Sequence, residues 1–357
     1  MLQYPERSTS TPAVSETCQR GGTGALSDVQ PGITVVVCTR DRPLQLANCL
    51  DGLARQTYPR FDVLVVDNAS ARPVREVCRR RGVGYVHEPV PGLTRARNLG
   101  ARAARGALVA YIDDDAIPEP GWLDALAQAF ADPAVAAVSG RIRYMKTRGD
   151  TRMMSDEDAP EGIALRPRGS FDQGTRDWFA LACFGGIGDG GSMAFRRALI
   201  AHSIGFDERL GRGRLLEGGD EHVAFMSLIA HGYRITHAPD AAVRHPFPAT
   251  PAWQRAMRLR DLRTSIAYLM FLWFEFPEHR TDIARFLYRA VRRRATRMAA
   301  RQAASARLPR LQALGAMLGG PLIYWKARRE WAATSGHFQE QADQPLSRLL
   351  QSAGTPR

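Results

Sequence analysis

A chain of 357 residues with 45% hydrophobic content can bury a large core and is too long for one small domain. Its five cysteines, Cys18, Cys38, Cys49, Cys78 and Cys183, are odd in number, scattered and without a C-x-x-C pair, which argues against a disulfide framework or a zinc cluster. The net charge of +13 belongs to the last third, since residues 251–357 hold 19 Lys+Arg against 7 Asp+Glu.

Residues 1–30 are rich in Ser, Thr, Gly and Pro and lack the basic start and apolar run of a signal peptide, so they read as a disordered tail on a cytoplasmic protein. Ile33 to Cys38 is β-branched and apolar, a buried first strand, and the turn Thr39-Arg-Asp-Arg-Pro43 leads into an amphipathic helix over Leu44 to Gln56. That turn has no glycine, which argues against a dinucleotide-binding domain. A second strand, Phe61 to Val66, ends in Asp67-Asn-Ala-Ser70 and is followed by a helix near Arg72 to Arg81. A third strand, Gly84 to His87, precedes Pro89-Val-Pro-Gly-Leu-Thr-Arg-Ala-Arg-Asn98 and a helix of small residues reaching Arg105.

The next strand, Ala107 to Ile112, is apolar throughout, as a strand covered on both faces must be, and it runs into Asp113-Asp-Asp115. In extended chain, side chains i and i+2 share a face, so Asp113 and Asp115 point into one space while Asp114 points away. Hard cations take such oxygen ligands and fill the remaining positions from water and phosphate, so a metal here implies a phosphorylated ligand. The competing reading is a solvated acidic turn capping the next helix. Ligands of open α/β sheets bind at the carboxyl ends of strands, where this triplet sits, and that favours the metal. Asp67, also at a carboxyl edge, reads by itself as a helix N-cap or an Asx turn with Asn68 and Ser70.

The ordered set of Thr39 and Asp41, Asp67, Arg95, Arg97 and Asn98, and Asp113-x-Asp115 resembles the inverting family 2 glycosyltransferases over about residues 32–248. Gly190-Gly-Ser-Met-Ala-Phe-Arg-Arg197, Gly205-Phe-Asp-Glu208, Gly218-Gly-Asp-Glu-His222 and Gly232-Tyr-Arg-Ile235 extend the likeness. The resemblance implies an α/β fold of GT-A type, a Rossmann-like three-layer sandwich on a mostly parallel sheet, and a nucleoside-diphosphate-sugar donor. UDP leads among the nucleotides, with GDP or dTDP as alternatives. Donor contacts would come from Thr39, Asp41, Asp67, Arg95, Arg97, Asn98, Asp113, Asp114, Gly191 and Ser192, with the choice between Arg95 and Arg97 open. Asp113, Asp115 and His245 would hold Mg²⁺ or Mn²⁺. Asp220 would be the base that activates an acceptor hydroxyl, with Glu221 as the alternative and Glu217 also close enough in sequence to compete, and Asp220 also reads as the N-cap of the following helix. Gly219 stands where the family usually has Glu, a departure that leaves room for a catalytically inactive, sugar-nucleotide-binding homologue.

Met145 to Trp178 is polar and irregular and reads as a loop, where selectivity for a carbohydrate, lipid-linked or small-molecule acceptor would lie. Trp178 and Phe184 beside the glycines of 185–191 read as a lid, a sugar-stacking wall or core. The glycosyltransferase domain is expected over 31–250, and helices follow at Trp253 to Phe276, Thr281 to Arg307 and Leu311 to Trp331 within a basic region, 251–357. The apolar run Ile266 to Phe274 is shorter than the roughly 20 residues a bilayer span needs. This region reads either as a peripheral appendage on an anionic membrane surface, such as the inner face of the plasma membrane, or as a helical cover on the catalytic domain. Two rival classes fit less well. A sugar nucleotidyltransferase would want a Gly-rich phosphate loop after the first strand, and nucleic acid is not an expected partner because the arginines lack an interleaved stacking surface.

Overall fold

The computed structural model describes residues 31–147, 168–248, 251–300 and 310–342. The expectations for residues 1–30 and for 148–167, most of the predicted acceptor loop, lie outside the described residues.

The first half is a run of βα units: β1 (Ile33–Thr39), α1 (Pro43–Leu53), β2 (Phe61–Asn68), α2 (Arg75–Arg81), β3 (Gly84–Glu88), α3 (Leu93–Ala103) and β4 (Leu108–Asp113). The second half is mixed: β5 (Ile117–Pro118), α4 (Trp122–Ala129), β6 (Val135–Thr147), β7 (Gly169–Phe171), α5 (Trp178–Cys183), β8 (Ser192–Arg196), α6 (Arg197–His202), α7 (Asp220–Ala230) and β9 (Arg234–Pro248). Three helices close the described chain: α8 (Pro251–Glu275), α9 (Arg280–Ala300) and α10 (Arg310–Ala342).

The strands form one sheet in the order β3-β2-β1-β4-β8-β6-β9-β5, with β7 also on β9. The pairs from β3 to β4 are parallel, β8 runs antiparallel between β4 and β6, and β6 and β9 are again parallel. Alternation along β1 feeds two cores. Val36 packs with Leu99 of α3 and Phe225 of α7 on one face, while Val35 and Val37 pack with Leu46 of α1 and Trp122 of α4 on the other. The result is a three-layer sandwich.

The helices beyond residue 250 share that first core. Ala267, Phe271 and Leu272 of α8, Ile283 of α9 and Tyr324 of α10 are each at most 1% exposed and pack in the cluster that holds Phe225. Arg209 fastens the joint, donating to Asp207 and to Glu275 Oε2 (2.7 Å) with its guanidinium over the rings of Phe271 and Trp331. Trp178 and Phe184 serve the same packing rather than a lid. Phe184 stacks on Phe286 of α9, and Trp178 meets the His279 ring edge-on. Among the described residues, no helix is long and apolar enough to cross a membrane.

Candidate active site

Strand β4 delivers the carboxylates. Cys38 of β1 pairs with Asp113, so the turn after β1 and the turn after β4 lie side by side at one sheet edge. Extended chain ends at Asp113, and Asp114 and Asp115 lie in a turn. The strand-alternation argument therefore stops one residue early, yet the turn produces the same division of faces. Asp114 is nearly buried and accepts hydrogen bonds from Thr39 Oγ1 (2.7 Å) and Arg42 Nη1 (3.1 Å). Asp113 and Asp115 turn toward His245.

His245 reaches them from β9, 130 residues later, in register with Tyr144 of β6. Its Nε2 lies 3.0 Å from Asp115 Oδ1 and 3.6 Å from Asp113 Oδ2, and the Tyr144 ring meets the imidazole edge-on. Ligand atoms of the three residues all lie within 4.8 Å of one another. His245 Nδ1 sits 2.9 Å from the Pro246 carbonyl, an acceptor only, so Nδ1 carries the proton and Nε2 is the nitrogen left to bind a cation. Two carboxylates and one outward-aimed imidazole are a donor set that Mn²⁺ or Mg²⁺ accepts, so these residues fit the expected metal.

The charges here are strongly coupled. Burial would raise Asp113, but the His245 hydrogen bond and the Arg97 charge outweigh it and hold the carboxyl at about 2. Asp115 is lowered against its own burial, again chiefly by His245. Burial opposes the charge on His245, yet the two carboxylates raise it to about 10. Asp114 goes the other way, pushed by burial to about 6 despite Thr39 and Arg42.

The remaining residues divide into those that touch this centre and those that shape the loops around it. Arg97 touches it. The guanidinium lies 4.0 Å from Asp113 Oδ1, donates to the Gly190 carbonyl (3.1 Å) and is ion-paired with Asp220. Glycine at 190 and 191 keeps this approach open, since a Cβ would fall 2.8 Å from Arg97 Nη2 at the first and 3.0 Å from Asp113 Oδ2 at the second. Arg95, the other candidate, points away and pairs with Glu208 (2.7 Å). Asn98 clamps the Phe206 backbone, accepting from its amide (2.8 Å) and donating to its carbonyl (2.9 Å). Ser192 is fully buried with its hydroxyl spent on Trp122 Nε1 (3.0 Å) and the Ala241 carbonyl (3.3 Å). The polar groups of Arg95, Asn98 and Ser192 are thus engaged within the protein.

Asp67 takes the Asx-turn form. Wholly buried, it accepts from the amides of Ser70 (3.4 Å) and Val74 (3.0 Å) and from Tyr85 Oη (3.0 Å). Asp41 ties the first two turns together, its amide donating to Ser70 Oγ (2.9 Å) and its carboxylate accepting from the Ala71 amide (2.7 Å), at a φ of 57°. These two turns form a braced rim, and Thr39 is held against Asp114 beneath it.

Helix α7 brings Asp220 and Glu221. Asp220 is its first helical residue rather than the N-cap; that position belongs to Gly219, at φ 82°. The glycine has a second reason: a Cβ there would lie 2.5 Å from the Tyr268 ring of α8. The departure at 219 is thus imposed by the backbone and by α8. Asp220 is 2% exposed and closed by Arg97, whereas among the described residues Glu221 has no comparable cation on it, and burial together with Asp220 raises its pKa against the opposing pull of His222.

Three contributors were not legible as site residues. Arg42 spans Asp114 and Asp115, at 3.1 and 2.9 Å, and its place in the charged turn after β1 was the available signal. Arg212 lowers Asp113 by its charge, and Tyr268 comes from a helix outside the expected domain.

Residues 34–203 match the family model described as Glycosyl transferase family 2. The succinoglycan biosynthesis protein ExoM of Rhizobium meliloti is 29% identical over 244 residues, covering 65% of this chain and 73% of that protein. The glycosyltransferase AglE of Haloferax volcanii is 27% identical over 134 residues, 35% of this chain and 44% of the relative. A pre-mycofactocin glycosyltransferase of Mycobacterium tuberculosis is 29% identical over 243 residues, 64% of this chain and 48% of the relative. The chain thus spans less than half the length of two of these relatives. The solved mannosyltransferase PcManGT from Pyrobaculum calidifontis, in complex with GDP-Man and Mn²⁺, superposes with a TM-score of 0.50 at 22% identity, covering 91% of this chain and 80% of that one. Sequence match and strand order coincide: over residues 34–203 this chain resembles the family 2 glycosyltransferases, and its fold is of GT-A type.

Proposed function

We propose that the protein is a metal-dependent, inverting glycosyltransferase that moves a sugar from a nucleoside diphosphate to an acceptor hydroxyl. The observation that carries this reading is the convergence of Asp113, Asp115 and His245 at the sheet edge, with Arg97 behind them. The fold likeness to a protein solved with GDP-Man and Mn²⁺ supports the same reading.

A divalent cation held by Asp113, Asp115 and His245 would neutralise charge developing on the departing diphosphate. Arg97 adds a fixed positive charge beside Asp113, its own proton held fast by Asp220. Gly190 and Gly191 let the backbone approach this centre, and Arg42 and Thr39 keep Asp114 turned away from it.

Glu221 is the better base of the two candidates, because Asp220 is already occupied by a guanidinium. The raised pKa of Glu221 favours proton acceptance, and the Arg97–Asp220 pair holds the first turn of α7 against α3. In the transfer, the acceptor oxygen gives its proton to Glu221 and bonds to the anomeric carbon. The bond from that carbon to the diphosphate breaks with its electron pair staying on the phosphate oxygen, so configuration inverts.

The test is thermal stabilisation by UDP, GDP, dTDP and CDP, each with and without Mn²⁺, in the parent and in Asp113→Ala/Asp115→Ala. A nucleotide at 100 times its dissociation constant adds about 2.7 kcal/mol. One diphosphate stabilising only with metal, and only in the parent, supports the proposal. No stabilisation by any of them in a folded sample refutes it.

A further inference from the structure

Away from the catalytic edge, α10 leaves one apolar face uncovered. Leu314, Met317, Leu318, Leu322 and Trp325 are all exposed, Leu322 at 73% and Leu318 at 64%. At 3.6 residues per turn these positions form a single stripe. The opposite face is spent on the core: Tyr324 and Ala327 are buried, and Gly320 lies so close to α8 that a Cβ would meet Ile266 at 2.6 Å. The helix cannot therefore roll to hide its stripe.

Aromatic rings and arginines extend the face onto α8. Phe274 packs against Trp325 at 5.3 Å and stacks on Tyr324, and Trp273 beside it is also part-exposed. The Arg280 guanidinium lies 5.7 Å from the Trp273 ring, and that of Arg328 lies 5.4 Å from the Trp325 ring. Each tryptophan thus presents an apolar body with a cation at its rim, an arrangement suited to the boundary between hydrocarbon and headgroups.

We propose that this face inserts into the interface of an anionic bilayer. In that pose α10 lies in the membrane plane, Leu314, Leu318 and Leu322 sit below the headgroups, and Arg280, Arg328 and Arg329 sit among the lipid phosphates. Charge decides against a second copy as the occupant. Residues 251–357 carry a net +12, so self-association through this face would bring two arginine rims together, whereas an anionic surface complements them. The inference does not depend on the catalytic reading.

Flotation of the full chain with phosphatidylcholine vesicles, and with vesicles containing an equal part of phosphatidylglycerol, tests it. The parent is expected to float with the anionic vesicles and not with the neutral ones. Leu318→Ser/Leu322→Ser should weaken partitioning about tenfold or more, and Arg328→Glu/Arg329→Glu should remove the preference for anionic lipid. Both pairs are surface substitutions, and an unchanged melting temperature confirms the fold. Absence of flotation with anionic vesicles, or equal flotation of parent and Leu318→Ser/Leu322→Ser, overturns the proposal. So does a dimer in sedimentation that the leucine pair converts to monomer without any vesicle binding, which would assign the face to a second copy. The nucleotide melting shift reads the catalytic proposal separately.

Discussion

Arg97 closes the carboxylate of Asp220, joining the second turn of α3 to the first turn of α7 at a point where both side chains are nearly inaccessible. Removing one partner of such a pair strands the other. Asp220→Asn should therefore destabilise the protein by about 3–5 kcal/mol. Denaturant unfolding measures this, and a change within error of zero would contradict the buried pair.

Glu221→Gln should behave in the opposite way. Loss of a general base lowers kcat by about 10²–10⁴-fold, while stability should rise slightly at neutral pH. The sign follows from the raised pKa: a carboxyl that binds its proton more tightly when folded gains stability as pH falls through the raised value and loses it above. A permanently neutral amide escapes that loss. A less stable Glu221→Gln, or one that retains full turnover, would return the base to Asp220.

The same shift predicts a pH profile. The acidic limb of kcat/KM should lie above the ordinary glutamate range, because Glu221 must be ionised to accept the proton. A limb at or below that range, measured with saturating metal, argues for another base.

Of the two candidate arginines on α3, Arg95 and Arg97, it is Arg97 that faces Asp113. Arg97→Met/Asp220→Leu, which removes both charges and so leaves neither stranded, should fold and lose most of its nucleotide affinity. Arg95→Met should retain affinity while softening the turn at Glu208, to which Arg95 is paired. Isothermal titration with the nucleotide found in the melting screen separates them, and equal losses would refute the assignment.

Gly219→Ala meets two obstacles, a φ of 82° and the Tyr268 ring at 2.5 Å. The left-handed backbone alone costs about 1–2 kcal/mol. Adding Tyr268→Ala should relieve the steric part and leave the backbone part, so a double-mutant cycle should show coupling between positions 219 and 268.

The parallel half of the fold was legible in the sequence because its physics is local. Val35, Val36 and Val37 read as a covered strand, and Asp113 and Asp115 could be set on one side from spacing alone. His245 was reached only through resemblance, since nothing near residue 245 encodes the β6–β9 pairing that carries it back to the carboxylates. Arg95 and Arg97 are equivalent in sequence and separate only once the turn at Glu208 and the start of α7 are in place. Asn98, Ser192 and Asp67 are polar residues of the pattern whose hydrogen bonds turn inward, a distinction composition cannot make. Gly219 read as a missing carboxylate because the ring that excludes any side chain there comes from α8, outside the matched segment.

Tyr268 over Gly219 also limits how the chain can be recombined. A chimera joining residues 31–250 to the tail of a relative must present a ring of similar reach at this spot. Sliding α8 by one residue would swing position 268 about 100° around the helix axis and leave a hollow beside Glu221. Compatibility between head and tail would then be decided by helical phase, and a graft in the wrong phase would disturb Glu221 before it failed to fold.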